Sequence, residues 1–201
     1  MPQLYDHNGN RLYLNSDERR AFLDAAAKED RTIKCLCLTI AHTGCRISEA
    51  LQTTAARIDL SDNHITFRSL KKRKDKQGAQ RMIYRTVPIP EILADTLDMV
   101  YGIRETQQSN KGREMEKPLW DFSRVTAWAK VKQVMNAANI PDGVHKTAKG
   151  LRHSYGVHAT INGVQLHMLK KWMGHADMKT TAIYADAIGE EERTIASRMW
   201  D

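Results

Sequence analysis

Across residues 57–89 the spacing of apolar side chains changes from a helical repeat to strict alternation, and this switch limits the folds open to the chain. Ile58 and Leu60, a Ser61-Asp62-Asn63 turn, Ile65 and Phe67, and then the stretch 82–89 read as three short strands of a small antiparallel sheet. Between the second and third strands lies Lys71-Lys-Arg-Lys-Asp-Lys-Gln-Gly, a basic hairpin tip that no core could hold. Helical patterns stand on both sides of the block. The expected class is therefore α+β and mainly α, with one small antiparallel sheet.

Before the sheet, Ser16 is a candidate cap for a helix with acidic first-turn residues. Residues 32–41 are too continuously apolar for a surface helix and read as a buried one, ended by Thr43-Gly44. A short helix follows from about Arg46, with Ile47, Ala50 and Leu51 on one side. After the sheet, Pro88 and Pro90 lead into a helix over 91–103 with Leu93, Leu97 and Val100 on one face. Residues 105–117 are polar and mixed in charge and read as a loop. Helical spacing resumes over 123–138, where Val125, Trp128, Val131, Val134 and Met135 recur at helical intervals. Thr147 can cap a helix to Ile161, Asn162-Gly163 ends it, 165–173 is a short helix broken by Gly174-His175, and further helices are expected over 180–184 and 190–200.

No apolar run approaches the roughly 18–20 residues that span a bilayer, and residues 1–15 lack the apolar segment of a secretory signal, so a cytoplasmic protein is expected. Cys35, Cys37 and Cys45 have no second cluster with which to complete a metal site and read as buried thiols. His153 and His158 would point about 140° apart on a helix, so they do not form a metal-binding pair. The net charge of +7 suits an anionic partner such as nucleic acid.

Four separated segments then matter together: Thr43-Gly-Cys-Arg46-Ile-Ser-Glu-Ala-Leu, the basic run at Lys71, Lys149-Gly-Leu-Arg152-His-Ser-Tyr, and Met173-Gly-His175 followed by Thr180-Thr-Ala-Ile-Tyr184. Singly each has an ordinary explanation as a helix end, a solvated hairpin or a core aromatic. In this order they resemble the tyrosine recombinase (phage integrase) family, which shows a T-G-x-R-x-S-E-x-L box, a hairpin lysine, an H-x-L-R-H box, an L-G-H box and a tyrosine near the C-terminus. The separations Arg152 to His175 and His175 to Tyr184, 23 and 9 residues, fit that pattern.

Breaking a phosphodiester without a metal needs a nucleophile, neutralisation of charge at phosphorus, and a proton for the departing 5′ oxygen. Arg46 and Arg152 can offer planar guanidinium forks to the non-bridging oxygens, which lysine cannot imitate. The resemblance implies Tyr184 as nucleophile, His175 as a hydrogen-bond donor to the phosphate, and Lys71 as the acid for the leaving oxygen, although any lysine of the tip could serve. Lys72, Arg73 and Lys74 are expected to contact DNA. The family's first histidine is replaced here by Lys149, which can donate to phosphate or act as a second acid, as the comparable lysine does in type IB topoisomerases. His145 and His153 are nearby substitutes.

The resemblance implies an N-terminal extension over 1–15 and a catalytic domain over 16–201, without the N-terminal core-binding domain of larger members and similar to the small fimbrial-type recombinases. It implies cleavage and rejoining of duplex DNA through a 3′-phosphotyrosine with no metal or cofactor. Expected partners are DNA carrying recombination sites, further copies of the chain docked through the C-terminal helix, and accessory DNA-binding proteins. Two other readings stay open: a DNA-binding regulator that lost cleavage, and a type IB topoisomerase-like enzyme.

Overall fold

A computed structural model describes residues 3–69, 73–74, 80–109, 112–186, 190–197 and 199–200. Helix α1 (Ser16–Ala27) is capped by Asn15, one residue earlier than expected, because Asn15 accepts from the Glu18 N–H while the Glu18 carboxylate accepts from the Asn15 N–H. Helix α2 (Arg31–Thr43) starts on the Asp30 side chain, which accepts from the amides of Thr32 and Ile33. Its apolar run is buried nearly all round because α1, α4, α7 and α8 lie against it. Gly44 closes it at φ 59°, a left-handed conformation that turns the chain into α3 (Ile47–Ala50).

A 3₁₀ turn (Ala55–Arg57) leads into β1 (Ile58–Asp59) and β2 (His64–Arg68). Strands β3 (Arg73–Lys74) and β4 (Gln80–Arg81) pair with each other beyond β2, and Lys71 and Lys72 lie outside the described residues. Strand β5 (Tyr84–Pro88) returns beside β2, giving an antiparallel sheet of order β1-β2-β5. The register sets Ile65 opposite Val87, both buried, and Thr66 opposite Thr86, whose hydroxyls lie 3.1 Å apart on the other face.

Two departures follow from anchors that periodicity does not reveal. The single helix expected over 91–103 is interrupted: α4 (Glu91–Tyr101) ends at Gly102 with φ 59°, and α5 (Ile103–Gln108) runs on into the stretch that reads as loop, followed by α6 (Gly112–Met115). Ile103 is wholly buried, and the Gln107 amide donates to the carbonyls of Ala55 and Ile58, both at 2.8 Å, so one apolar and one polar contact fix α5. In α7 (Arg124–Ala137), Ala127, Val131, Val134 and Met135 are buried, but Val125 and Trp128 are 76% and 48% exposed and face away from the core.

Thr147 caps α8 (Ala148–Ile161), which is buried continuously over 150–157. Then come α9 (Leu166–Met173), α10 (Lys179–Ala182), and a 3₁₀ turn (Ile183–Asp186) that carries Tyr184 in place of the expected helix. Helix α11 (Glu190–Ser197) lies against α8, and Met199 and Trp200 are exposed beyond it. The segment before α1 is part of the packing. Leu4 and Tyr13 join Tyr155, Val157, Leu169, Met173 and Tyr184 in a second apolar cluster. Among the described residues, no helix is long and apolar enough to cross a membrane.

Candidate active site

Two helix ends meet at Arg152. The left-handed turns at Gly44 and Gly174 leave carbonyls at the ends of α2 and α9 without helical partners. The Arg152 fork takes both, donating from Nη1 to the Gly44 carbonyl and from Nη2 to the Met173 carbonyl at 2.7 Å. A cation at two helix C-termini is also favoured by the helix dipoles. Burial, the neighbouring Arg46 and other cations pull the Arg152 guanidinium down to about 10, still charged at neutral pH.

Arg152 Nη2 also lies 3.2 Å from His175 Nε2, and His175 Nδ1 lies 2.9 Å from the Thr181 hydroxyl. A guanidinium can only donate, so Nε2 accepts and Nδ1 carries the proton toward Thr181. Burial, then Arg152 and Arg46, press His175 down to about 3, so the free site holds it neutral.

Arg46 opens α3 and is oriented by Glu49, whose carboxylate accepts from the Arg46 amide and from Nη1, both at 2.9 Å. The Glu49 side chain is fully enclosed, and Arg85 of β5 completes its shell with a two-pronged contact of 3.1 and 2.7 Å. Arg85 continues to the Trp172 carbonyl at 2.7 Å and stacks over Phe67. Burial opposes ionisation of Glu49, but the bonds from Arg85 and Arg46 outweigh it and hold the carboxyl below its usual range. A Cβ at Gly174 would come within 2.9 Å of Arg85 Cδ, so the glycine lets this arginine pass beneath the turn that presents His175.

Tyr184 lies across α8. Its ring stacks on His175 with centroids 6.2 Å apart, and its hydroxyl lies 3.1 Å from His153 Nδ1. It is fully buried, and burial pushes the phenol up to about 12 despite Arg152 and Arg46. His153 is drawn down to about 4 by burial, Lys149 and Arg152.

Of these groups, Arg46, Arg152, His153, His175 and Tyr184 border one cleft of about 700 Å³. Arg46, Lys149, Arg152, His175 and Tyr184, named from the sequence, all line it, with Lys149 exposed at its rim. Lys71 and Lys72 fall outside the described residues, and Arg73 and Lys74 form β3 of the hairpin. Arg124, Val125 and Trp128 of α7 also border the cleft. Their helical spacing looks like core in the sequence, and only the packing shows that this face turns to the cleft.

The family profile described as the phage integrase family matches residues 12–191. This chain belongs to the phage integrase family. Among its relatives, Tyrosine recombinase XerA of Pyrococcus furiosus is 26% identical, covering 85% of this chain and 56% of that protein. Tyrosine recombinase XerD of Bifidobacterium longum is 30% identical, with the same two coverages of 85% and 56%. The chain thus spans little more than half the length of these relatives. The crystal structure of XerA recombinase superposes with a TM-score of 0.70 at 21% identity, covering 94% of this chain and 65% of that one. The catalytic domain of bacteriophage HP1 integrase gives 0.59 at 20% identity, covering 92% and 93%. These likenesses show the phage integrase catalytic fold, mainly helical with its small sheet.

Arg85 is absent from the sequence reading, whereas His153 enters it as a nearby substitute for the missing histidine. Arg85 stands in an alternating strand, 36 residues from the carboxylate it holds, and has no local signal. His153 could be found by its place in the second arginine box.

Proposed function

We propose that the protein is a site-specific recombinase that cuts and rejoins duplex DNA through a phosphotyrosine at Tyr184. The observation that carries this reading is convergence. Arg46, Lys149, Arg152, His175 and Tyr184 come from α3, α8, the turn after α9 and the 3₁₀ turn, yet border a single cleft. The cleft is cationic, with Asp177 as its carboxylate among the described residues. A DNA phosphodiester supplies the missing negative charge. Arg46 and Arg152 are placed to hold its non-bridging oxygens and to stabilise the charge that grows at phosphorus. His175 can join them by donating from Nε2 once the phosphate field lets that nitrogen take a proton. The hairpin lysine, Lys71 by the family pattern, or Lys149 at the rim, protonates the departing 5′ oxygen.

Support also comes from related proteins studied with DNA. XerH site-specific recombinase has been solved bound to its difH substrate, and superposes with a TM-score of 0.64 at 19% identity, covering 98% of this chain and 60% of that one. Partners proposed for this chain are duplex DNA with recombination sites, further copies of the chain assembled on that DNA, and accessory DNA-binding proteins, in the cytoplasm.

The test is to incubate the protein with plasmid and genomic DNA, denature it, recover DNA bound covalently to protein and sequence the attached ends. Recurrent ends joined through Tyr184 are expected. DNA binding without any covalent product would leave the regulator reading in possession, and relaxation of supercoils without paired sites would favour the topoisomerase-like one.

A further inference from the structure

Where the family pattern has a histidine three residues before the second arginine, this chain has Lys149, an exposed side chain at the rim of the cleft. A charged ammonium cannot take a proton. One helical turn further along α8 stands His153, buried, with Nδ1 3.1 Å from the Tyr184 hydroxyl. Resting on the recombinase reading above, we propose that His153 is the group that takes the proton from Tyr184 as the tyrosine attacks the phosphate.

The hydrogen-bond inventory supports the direction of transfer. Burial raises the phenol and lowers the imidazole, so in the free site the tyrosine keeps its proton and the ring is neutral. A neutral imidazole has one N–H and one lone pair. With the phenol as donor the lone pair is on Nδ1 and the proton on Nε2. Among the described residues that buried Nε2 has no hydrogen-bond partner. In that tautomer the ring receives at Nδ1, and burial first, then the positive charge of Lys149 and Arg152, oppose its protonation in the free site. A phosphodiester entering between these cations offsets that charge and raises the basicity of the ring when the substrate is in place.

The step balances. The bond from Tyr184 Oη to phosphorus forms, the bond from phosphorus to the 5′ oxygen breaks, the Tyr184 proton passes to His153 Nδ1, and a lysine gives a proton to the 5′ oxygen. Rejoining reverses each transfer, with the 5′ hydroxyl as nucleophile and His153 returning the proton to the phenolate. His153 thus does the work of the base, and a lysine, Lys71 or Lys149, that of the acid.

The decisive substrate is a duplex of the sequence recovered from covalent complexes, made with either oxygen or sulfur at the bridging 5′ position. A thiolate leaves without a proton, so sulfur relieves a missing acid and not a missing base. His153→Gln, which keeps an acceptor but cannot hold a proton, should lower the rate of adduct formation at least about 10²-fold with both substrates. Of Lys71→Ala and Lys149→Ala, the variant that removes the acid should lose rate with oxygen and regain it with sulfur. Full activity of His153→Gln, or its rescue by sulfur, overturns the proposal. His153→Asn serves as the second variant if Gln does not fold, with thermal unfolding as the control. Independently of DNA, the ¹⁵N resonances of the His153 ring in the intact protein should show a bare Nδ1 that shifts on Tyr184→Phe, and a protonated Nδ1 would overturn the assignment. A parent from which no covalently bound DNA is recovered at all overturns the recombinase reading, a result distinct from an active parent with an active His153→Gln variant.

Discussion

The ring of Tyr184 occupies the space that a side chain at Gly156 would need. A Cβ built on Gly156 would fall inside van der Waals contact of the ring atoms Cε1, Cζ and Cδ1. Gly156 stands one turn after His153 on the same side of α8, so the helix offers a notch for the ring and an acceptor for its hydroxyl.

Gly156→Ala should therefore disturb the tyrosine more than the helix. Alanine favours the helix by about 0.5–1 kcal/mol, while overpacking a filled site costs about 1–3 kcal/mol. The expected net effect is a small loss of stability with a large loss of covalent attachment and near-parental DNA binding. Adduct yield and gel shift, measured together, check this. Parental adduct yield would mean that the ring does not work from this notch.

The buried Glu49 carboxylate holds Arg85, itself buried, and Arg46, whose side chain is 35% exposed, so its removal strands Arg85 and leaves Arg46 to solvent. Breaking such a pair costs about 3–5 kcal/mol, so Glu49→Gln should lower the urea midpoint sharply. Arg85→Lys keeps the charge but loses the two-pronged contact and the bond to the Trp172 carbonyl, and should fall between the parent and Glu49→Gln.

Arg152→Lys should be as damaging to cleavage as loss of an oxyanion donor, roughly 10²–10³-fold. The fork reaches the Gly44 carbonyl, the Met173 carbonyl and His175 Nε2 at once, and one ammonium cannot. Single-turnover cleavage on a nicked substrate measures it. Tyr184→Phe should abolish the adduct and leave binding intact.

Stability should decline as pH falls from neutrality. His42 is drawn down to about 4 by burial, by Arg19 of α1 and by His158 of α8, and His153 reaches about the same value. The unfolded chain takes up these protons near pH 6.5 while the folded chain refuses them until about 4. The loss therefore accumulates between those two values. Melting temperature measured across pH 4–7.5 should fall toward acid, and His42→Gln should flatten part of the slope. A pH-independent profile would show that these rings are accessible to protons in the folded state.

Trp128 stands at the cleft edge beside Arg124, one turn away on α7. An indole next to cations can pack its apolar face on a deoxyribose beside a phosphate, and covering a face of this size contributes about 1–3 kcal/mol. Trp128→Ala should weaken duplex binding by that order and Trp128→Phe much less, as read by fluorescence anisotropy at fixed salt.

The parts of this molecule legible in sequence are those whose cause is local. The Gly44 and Gly174 turns, the Thr147 cap, the alternation of Ile65 and Phe67, and the arginine boxes each depend on a few consecutive residues. The illegible parts depend on partners far along the chain. Residues 105–108 have little apolar content and are helical because Ile103 and Gln107 find pockets and carbonyls supplied by other elements. Trp128 and Val131 are both apolar members of one helical repeat, yet one meets the core and the other the cleft. Residues 1–15 read as an extension before the catalytic domain, but Leu4 and Tyr13 pack in the cluster that holds the tyrosine.

The three cysteines have a practical consequence. Cys35, Cys37 and Cys45 are buried free thiols, and burial lifts them to about 11, 12 and 11, so almost no thiolate is present at neutral pH. The wild-type chain should thus be silent to maleimide and disulfide reagents while folded. A single cysteine introduced at Val125, exposed on the cleft edge, would be the one position that takes a dye or a cross-linker. The molecule is in that sense ready for single-molecule work, with a reporter beside the cleft and no native thiol to remove first.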